Sequence, residues 1–300
     1  MSRVAILGCG YVGIELGRQL ARDHEVIGVR RSAAGLAEIE AAGFEAVAAD
    51  VTDADSLAAV PDVDWVVFAA SSGGRGAAPA REIYVEGQRT AIESLFDRRA
   101  TPDRYVYTSS TGVYGDHGGD WVDETVPVAP ETPKAEVLAE AEAVALSAPR
   151  EYGVDGTVAR LAGIYGPDRY RIERYVSGPV TEGYRNAVHR DDAAGAIRFL
   201  LGTDVARGEV VLVVDDEPVD RWTLADWLAG ECGEPAPPKL TVEERLEGDV
   251  SRAARRRLTT SKRCSNDKLR ALGYEFQYPT FREGYRDAIE AYRDGRLGTD

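Results

Sequence analysis

Three glycines near the amino terminus have the spacing of a loop that holds phosphate groups. Residues 8–13 read GCGYVG and stand between an apolar run, 3–8, and a segment of helical periodicity, 12–22. In this context Gly8 permits a tight turn, Gly10 lets a pyrophosphate approach the backbone, and Gly13 lets helix and strand pack closely. Tyr11 and Val12 open the helix, whose first N–H groups favour anions. The loop predicts dinucleotide binding; the alternative is a glycine turn that only packs.

Two arginines at the end of the second predicted strand bear on the choice of dinucleotide. An NAD site usually places Asp or Glu here, on the ribose 2′-hydroxyl, whereas this chain has Arg30 and Arg31 followed by Ser32. Guanidinium groups present paired donors to phosphate oxygens. We therefore expect NADP as the preferred cofactor and NAD as the alternative. The competing interpretation is that both arginines are ordinary surface charges.

Small and polar residues follow the third and fourth predicted strands. Asp50 and Val51 end the third, and Ala69, Ala70 and Ser71 end the apolar run of the fourth. Ligands of open α/β sheets bind outside the carboxyl ends of the strands. We expect these residues to line the cofactor site, where Asp50 would either accept a hydrogen bond from the adenine amino group or cap the next helix.

Strand-like runs alternate with helical segments over the first half of the chain. The runs at 3–8, 24–30, 44–50, 63–71, 104–110 and 156–166 are separated by helical periodicity at 12–22, 35–43, 80–97 and 134–147. This alternation predicts an α/β fold with a doubly wound parallel sheet. It loosens after residue 166. We therefore predict a dinucleotide-binding domain at 1–166 and a smaller C-terminal α/β substrate region at 167–300, with about 186–217 returning to the sheet.

The composition argues against two classes of partner. The 300 residues carry 51 Asp and Glu against 36 Lys and Arg, a formal net charge of -15. Duplex nucleic acid is bound by Lys and Arg that neutralise phosphates, so we expect no nucleic-acid partner. An acidic chain whose basic residues are nearly all arginine is typical of a halophile-like surface. A GC-rich genome would explain the arginines but not the net charge.

The spacing of the cysteines and the length of the apolar runs indicate where in the cell the protein works. Cys9, Cys232 and Cys264 are widely spaced and form no CxxC pair, which suits a reducing cytoplasm and predicts no metal site. No apolar stretch approaches the roughly 18 residues of a membrane span, and no signal peptide opens the sequence. We expect a cytoplasmic protein without a membrane partner.

Six segments in order carry a family resemblance: GCGYVG, AAD before VTD, VDWVVFAAS, RYVYTSSTGVYGD, RLAGIYGP and AVHRDDAAGAI. They resemble the extended short-chain dehydrogenase/reductase family of NAD-dependent epimerase/dehydratase type, and DDEPV (215–219), SNDKLRALGY (265–274) and YPTFREGYRDAI (278–289) resemble its atypical YeeZ-like subgroup. The resemblance implies a Rossmann domain and a small-molecule substrate. It also implies adenine contact at Asp50 and Val51, a cofactor-lining loop at Ala69 and Ala70, and a homodimer paired through 80–97 and 134–147.

In that family a Ser or Thr acts with a Tyr and a Lys spaced as YxxxK. The match to SSTGVYG implies Ser110 as the hydroxyl that orients the substrate. The YxxxK pair is missing, since Lys134 stands at the matching Tyr position, Leu138 follows four later, and no tyrosine has Lys at that spacing. Tyrosine has an ordinary pKa of about 10 and needs a neighbouring cation to exchange protons near neutral pH. Lys134 and Tyr114 are candidates to replace the pair. The alternative interpretation is that Lys134 is a surface lysine and Tyr114 a structural tyrosine.

Residues in and after the sixth predicted strand offer substrate contacts. Arg160, Arg169 and Arg171 would bind a carboxylate or phosphate by paired hydrogen bonds, although Arg160 lies within the strand and is alternatively a buried ion-pair partner. Tyr165 and Tyr170 follow where a substrate is expected.

Two histidines lie near the expected cleft. His189 is expected to hold the chain before a helix that Asp191 or Asp192 caps, and His117 in a glycine-rich loop is the other acid/base candidate. Together the patterns predict an NAD(P)-binding oxidoreductase or epimerase/dehydratase-like protein that acts on a small polar or sugar-like molecule. The alternative is a non-catalytic NADP(H)-binding sensor or scaffold, in which loss of YxxxK is tolerated.

Overall fold

The structure is a computed structural model that describes residues 1–74 and 76–296. For residues 252 and 253 it describes the backbone alone. In chain order the strands are β1 (Arg3–Leu7), β2 (Glu25–Arg30), β3 (Glu45–Ala48), β4 (Trp65–Phe68), β5 (Arg104–Ser110), β6 (Trp121–Val122), β7 (Gly156–Leu161), β8 (Gly163–Tyr165), β9 (Val180–Thr181), β10 (Tyr184–Arg185), β11 (Ala187–His189), β12 (Val210–Val213), β13 (Val219–Asp220), β14 (Lys239–Leu240) and β15 (Arg263–Cys264). The α-helices are α1 (Tyr11–Leu20), α2 (Ala33–Ala41), α3 (Ala54–Leu57), α4 (Ala77–Arg81), α5 (Gln88–Phe96), α6 (Pro133–Ser147), α7 (Ile172–Val176), α8 (Arg190–Gly202), α9 (Arg221–Cys232), α10 (Val242–Glu247), α11 (Arg252–Thr259), α12 (Asp267–Ala271), α13 (Phe281–Gly284) and α14 (Arg286–Arg293). No helix in the described part of the chain is long and apolar enough to cross a bilayer.

A parallel sheet of seven strands has the order β12-β7-β5-β4-β1-β2-β3. Ile6 of β1 pairs with Gly28 on one side and with Val67 on the other. β7 is buried along its whole length, as a continuous apolar run predicts for an interior parallel strand. The strand order reverses beside β1, so the topological switch point follows Leu7. The structure confirms the predicted α/β, doubly wound Rossmann-type fold.

The structure divides into two compact units. The first comprises 1–113, 130–161 and 193–213, contains the seven-stranded sheet, and has a core built from residues such as Leu7, Phe68 and Val158. The second comprises 114–129, 162–192 and the chain from Val214, with its own core around Phe281. Its strands pair as β8 with β11, β9 with β14, β6 with β15 and β10 with β13. The assignment of separate functions to 1–166 and 167–300 stays a prediction.

The apolar segment 156–166, which the sequence predicts as one strand, is two. β7 ends at Leu161, and β8 pairs in parallel with β11. Gly163 donates its N–H to the Asn186 carbonyl at 3.1 Å. Periodicity reports that a run is extended and apolar, but the partner of each half depends on residues elsewhere in the chain.

The helix predicted at 80–97 is interrupted. A π-helical turn, Glu82–Gly87, joins α4 to α5 and carries Tyr84. A Cβ at Gly87 would lie 3.2 Å from the Glu82 carbonyl and 3.1 Å from Cγ2 of Val51, so a larger residue would crowd the turn. Such π-helical turns are rare and occur often at functional sites.

Candidate cofactor and active site

The loop after β1 is held on two sides by backbone. Gly8 has a φ of +81°, and the N–H groups of Gly8 and Cys9 both donate to the Val29 carbonyl at 3.1 Å. A Cβ at Gly8 would lie 2.2 Å from the Cα of Ala70. Only glycine fits this position, and the close approach brings Ala69 and Ala70 against the loop.

The second and third glycines differ in their surroundings. A Cβ at Gly13 would lie 3.1 Å from Cγ2 of Ile6, whereas at Gly10 the nearest atoms would be 3.7 and 3.8 Å away. Gly10 begins α1 without a side-chain cap, and the first turn, which starts with Tyr11 and Val12, has no acidic residue. The helix therefore presents a positive end without an acidic residue or a side-chain cap, at a position that is not sterically crowded. That combination fits the pyrophosphate of a dinucleotide.

Arg30 and Arg31 lie at the same edge but have different partners. Arg30 donates from Nη1 to the Cys9 carbonyl at 3.1 Å and lies 3.6 Å from the Glu38 carboxylate. Arg31 pairs with Asp50 at 3.0 Å. The two arginine side chains are 29% and 60% exposed. Both side chains are partly accessible to solvent, which binding of an additional phosphate requires.

Asp50 is fixed by its own turn. Its Oδ1 accepts from the Thr52 N–H at 3.0 Å and from the Thr52 hydroxyl at 2.8 Å. Burial raises the pKa of Asp50, but the hydrogen bonds from Thr52 and Arg31 outweigh burial and the pKa lies below its ordinary value. The cap of α3 is Asp53, which removes the capping role considered for Asp50. Contact between Asp50 and adenine stays a prediction.

A buried ion pair lies behind β5. Glu142 of α6 accepts from Nε and Nη2 of Arg160 at 2.8 and 2.7 Å, and from the Ser109 hydroxyl at 2.6 Å. The Arg160 and Glu142 side chains are each 6% exposed. Of the two roles open for Arg160, the structure therefore shows the buried ion-pair partner.

Ser110 ends β5 next to this network and is partly exposed. Successive residues of a strand point to opposite faces, so the Ser110 side chain is directed away from Glu142. Its Oγ accepts the Gly112 N–H at 3.2 Å. That hydrogen bond uses Ser110 as an acceptor, and its hydroxyl proton can be donated to a ligand. β4 and β5 pair at Phe68↔Tyr107, so Ser110 and the segment after β4 reach the same edge of the sheet.

Lys134 lies in the first turn of α6. Thr132 caps this helix by accepting the Ala135 N–H at 2.9 Å. The Lys134 ammonium lies 5.8 Å from the centroid of the Tyr84 ring. The Tyr84 oxygen in turn accepts the N–H and the hydroxyl of Ser72, each at 3.2 Å. Lys134 therefore lies next to Tyr84, at the carboxyl edge of the sheet.

The other predicted cofactor residues lie in the same unit. Val51 is 6% exposed and belongs to the core that also contains Phe68. Ser71, directly before Ser72, is exposed. In the segment after β4, Ala69 and Ala70 thus contact the glycine loop that follows β1, while Ser71 faces solvent.

Tyr114 and His117 belong to the second unit. Tyr114 is buried, and its hydroxyl donates to the Asp123 carbonyl at 2.7 Å. His117 has its Nε2 at 3.0 Å from the Tyr114 carbonyl oxygen. These hydrogen bonds hold the loop that contains both residues. A role in proton transfer for Tyr114 or His117 stays a prediction.

Aromatic rings pack around Tyr165 in the second unit. Its ring stacks on Tyr285, with 4.9 Å between centroids and 12° between planes, and meets His189 edge-on at 5.4 Å. The Tyr170 hydroxyl lies 3.4 Å from Nε2 of His189. Burial raises the pKa of Tyr165 and lowers that of His189 to about 4, so both are neutral near neutral pH. The two arginines predicted nearby are exposed: Arg169 and Arg171.

The helix cap predicted at Asp191 or Asp192 is wrong, because both lie inside the first turn of α8. Asp192 is 1% exposed and accepts the N–H groups of Gln277 and Tyr278 at 2.8 and 2.7 Å. It also accepts the Tyr274 hydroxyl at 3.0 Å. The carboxylate thus holds a distant segment of the second unit, a partner that no local capping pattern can show.

Three residues of this arrangement escaped the sequence analysis: Ser72, Tyr84 and Glu142. Tyr84 depends on the π-helical turn, which no periodicity reveals. The buried position of Glu142 was predictable, because it stands beside Ala141 among apolar positions of a predicted helix. A charge at such a position needs a buried partner.

The sequence and the fold of this chain are similar to those of known proteins. Residues 4–213 match the NAD dependent epimerase/dehydratase family. Protein YeeZ of Escherichia coli (strain K12) is 32% identical over 287 residues, 93% of this chain and 97% of YeeZ. The structure of a functionally unknown conserved protein from Silicibacter pomeroyi DSS is 27% identical, with a TM-score of 0.77 over 98% of this chain and 99% of that one. A double mutant of DesIV, a dTDP-glucose 4,6-dehydratase from Streptomyces venezuelae with NAD bound, is 25% identical, with a TM-score of 0.76 over 99% and 98% of the two chains.

Proposed function

The chain belongs to the NAD dependent epimerase/dehydratase family, and we propose that it is a dinucleotide-dependent oxidoreductase or epimerase/dehydratase that acts on a small polar, sugar-like substrate. The observation that carries this proposal is the uncapped start of α1 at Gly10, where no atom would lie closer than 3.7 Å to a Cβ. When bound there, a nicotinamide dinucleotide takes up or supplies a hydride at a carbon that carries oxygen. The residues of this chain hold its phosphates, orient the substrate oxygen and move the proton.

We assign substrate orientation to Ser110. Its Oγ already accepts the Gly112 N–H at 3.2 Å, so its own O–H is the group offered to a substrate oxygen. A hydrogen bond donated to a carbonyl that is being reduced strengthens as negative charge develops on the oxygen. Its position at the end of β5 supports this role, because ligands of such sheets bind at the carboxyl ends of the strands.

We assign cofactor preference to Arg30 and Arg31, and propose NADP(H) over NAD(H). Both arginines stand at the end of β2 with side chains partly accessible to solvent, and guanidinium groups suit a ribose 2′-phosphate. Titration of the protein with NADPH and NADH tests the preference. Arg30→Asp should reverse it, while Arg18→Asp, an equal change of charge in the last turn of α1, should not. Equal affinities in the unaltered protein would contradict it.

Turnover tests the activity. Purified protein is incubated with NADP⁺ or NAD⁺ and a panel of alcohols, sugar phosphates and nucleotide sugars, which includes dTDP-glucose because DesIV is a dTDP-glucose 4,6-dehydratase. Carbonyl compounds are tested with the reduced cofactors. Absorbance of the reduced nicotinamide reports net oxidation or reduction, and mass and NMR analysis of the products report a reaction that returns the hydride.

The outcomes of this assay separate the candidate functions. Ser110→Ala should lower kcat about 100-fold, whereas Ser147→Ala, at an exposed position of α6, should leave it unchanged. Turnover that survives Ser110→Ala would exclude the role given to Ser110. Tight cofactor binding without any product would instead support the non-catalytic sensor or scaffold.

Two broader proposals concern the surroundings of the protein. We place it in a reducing cytoplasm, because Cys9, Cys232 and Cys264 are all free and buried. We also interpret the net charge of -15 as adaptation to high salt. The free energy of unfolding should then continue to rise in KCl above about 1 M, where the Debye length is already about 3 Å and screening is largely complete. A rise that stops there would reflect screening alone.

Self-association through 80–97 and 134–147 remains a prediction from the family resemblance. Sedimentation of the purified protein tests it, and a monomer at micromolar concentration would contradict it.

A further inference from the structure

We propose that Tyr84 is the proton donor and acceptor of this site, and that Ser72 and Lys134 are positioning residues that stabilise its phenolate. This inference rests on the proposed function. It starts from the placement of three groups within the first unit: Tyr84 on the π-helical turn Glu82–Gly87, Ser72 after β4, and Lys134 at the start of α6. None of them is part of a YxxxK pair in the sequence.

The hydroxyl of Tyr84 is held in place by Ser72. Its oxygen accepts two hydrogen bonds from Ser72, one from the N–H and one from the hydroxyl, each at 3.2 Å. Both donors favour negative charge on that oxygen. Because Ser72 follows β4, these bonds hold the Tyr84 hydroxyl at the carboxyl edge of the sheet, where Ser110 ends the neighbouring strand β5.

Lys134 supplies the positive charge. Its ammonium lies 5.8 Å from the Tyr84 ring centroid, within the range of a cation–π contact. No carboxylate of the described residues forms an ion pair with Lys134, so its charge is not neutralised locally. The position in the first turn of α6 opposes the helix dipole, which favours anions at this end. A phenolate at Tyr84 would interact favourably with this charge.

The other tyrosines of the first unit are less suited to this role. Burial raises the pKa of Tyr105 and Tyr107, which holds their protons. Tyr152 stands before β7, at the amino edge of the sheet. Tyr11 belongs to the first turn of α1, where the phosphates are expected. Tyr84 combines partial exposure, a place at the carboxyl edge of the sheet and a cation near its ring.

The proton balance is that of carbonyl reduction. The substrate carbon receives a hydride, with both electrons, from the reduced dinucleotide, which becomes oxidised. The substrate oxygen receives the proton of Tyr84, so that the Tyr84 O–H bond breaks and the alcohol O–H bond forms. Water returns a proton to the phenolate, and alcohol oxidation follows the same steps in reverse. Ser110 donates to the same substrate oxygen throughout.

One experiment needs no known substrate. Tetranitromethane nitrates tyrosine through its phenolate, and peptide mass spectrometry locates and times the reaction. We expect nitration of Tyr84 to be slowed by bound NADP⁺, and to fall about three- to tenfold in Lys134→Met, where the stabilising charge is lost. Lys239→Met, which removes an exposed lysine of the second unit, should change nothing, and Tyr152 serves as the internal standard. Equal nitration of Tyr84 in unaltered protein and Lys134→Met would overturn the proposal.

The second experiment uses any compound of the panel that is turned over. Tyr84→Phe should lower kcat about 100-fold or more with KM changed less than about twofold, and should still bind NADPH. Tyr152→Phe should have unaltered kinetics. Lys134→Met should lower kcat and shift its pH dependence to higher pH, while Lys134→Arg, which keeps the charge, should restore most of the rate.

The two proposals fail in different ways. A protein that binds no nicotinamide dinucleotide contradicts the proposed function, whatever Tyr84 does. A protein that turns over substrate equally well with Tyr84→Phe contradicts the role of Tyr84 and leaves the proposed function standing. Where the cofactor binds but no panel compound reacts, the nitration rates decide.

Discussion

Arg160 and Glu142 form a bidentate ion pair, in which Nε and Nη2 of Arg160 donate to the Glu142 carboxylate at 2.8 and 2.7 Å. Each side chain is 6% exposed. The pair joins β7 to α6, and the Ser109 hydroxyl adds β5 at 2.6 Å. Ser109 directly precedes Ser110, and Glu142 lies two turns after Lys134 on the same helix. The ion pair therefore fixes both candidate residues relative to the sheet.

Breaking one side of this pair should destabilise the fold. Arg160→Met leaves the Glu142 carboxylate buried without its cation, and we expect a loss of about 3–5 kcal/mol in the free energy of unfolding. The double variant Arg160→Met with Glu142→Leu should recover part of it, since no unpaired charge remains. Urea denaturation measures both. Arg150→Met, which breaks an exposed pair with Asp155, should cost less than about 1 kcal/mol, and an equal loss would contradict this account.

The glycines of the cofactor loop should separate folding from binding. Gly8→Ala places a side chain at a φ of +81° and 2.2 Å from Ala70, so we expect a loss of more than about 1 kcal/mol in stability. Gly10→Ala meets nothing closer than 3.7 Å and should fold nearly normally. It should weaken NADPH or NADH binding about tenfold or more, because the methyl group occupies the phosphate space. Gly202→Ala, at an open position, is the control, and a Gly10→Ala variant with normal affinity would refute this placement of the phosphates.

His189 should contribute a pH dependence to stability. Burial lowers its pKa to about 4, below the unfolded value of about 6.5. The unfolded chain then binds the proton first as pH falls. The contribution of His189 is complete above about pH 6.5 and is lost as the pH falls towards 4, by up to about 3 kcal/mol. Asp191 and Arg190 affect the same titration.

Denaturation of the unaltered protein and of His189→Gln across this range measures that effect. The difference between them should shrink as the pH falls, and His117→Gln should show no such trend. A constant difference at every pH would disprove the assignment to His189.

The hydroxyl of Tyr165 should add nothing to stability. It is buried with no hydrogen-bond partner among the described residues, which costs desolvation without return. Tyr165→Phe should leave the free energy of unfolding unchanged or raise it by about 1 kcal/mol. Tyr285→Phe, by contrast, removes a hydrogen bond of 3.1 Å to the Tyr170 carbonyl and should cost about 1 kcal/mol. Thermal denaturation compares the two, and a loss in Tyr165→Phe would reveal a partner for its hydroxyl.

The local patterns of the sequence carried much of this architecture. The run from Arg3 to Leu7, the glycines that follow and the helix after them were all predicted, because strand burial, tight turns and helix amphipathicity act over a few residues. Segment 156–166 shows where such reasoning ends. Its two halves have different strand partners, and partner choice depends on Asn186 and β11 rather than on the segment itself.

The candidate site divides in the same way. Ser110 and Lys134 were identified because the segments that contain them resemble family motifs. Tyr84 was not, because its place beside Lys134 depends on a π-helical turn and on a contact between residues fifty positions apart. Asp192 was given a local role as a helix cap, whereas its hydrogen bonds go to Gln277 and Tyr278.

By itself the sequence determined the parallel sheet and the glycine turn after β1, since apolar periodicity and the steric demands of Gly8 and Gly13 are local properties of the chain. Only the tertiary structure decided which charged and hydroxyl groups face one another. It joined Glu142 to Arg160 and Lys134 to Tyr84, because side chains distant in sequence meet only after the strands and helices have packed.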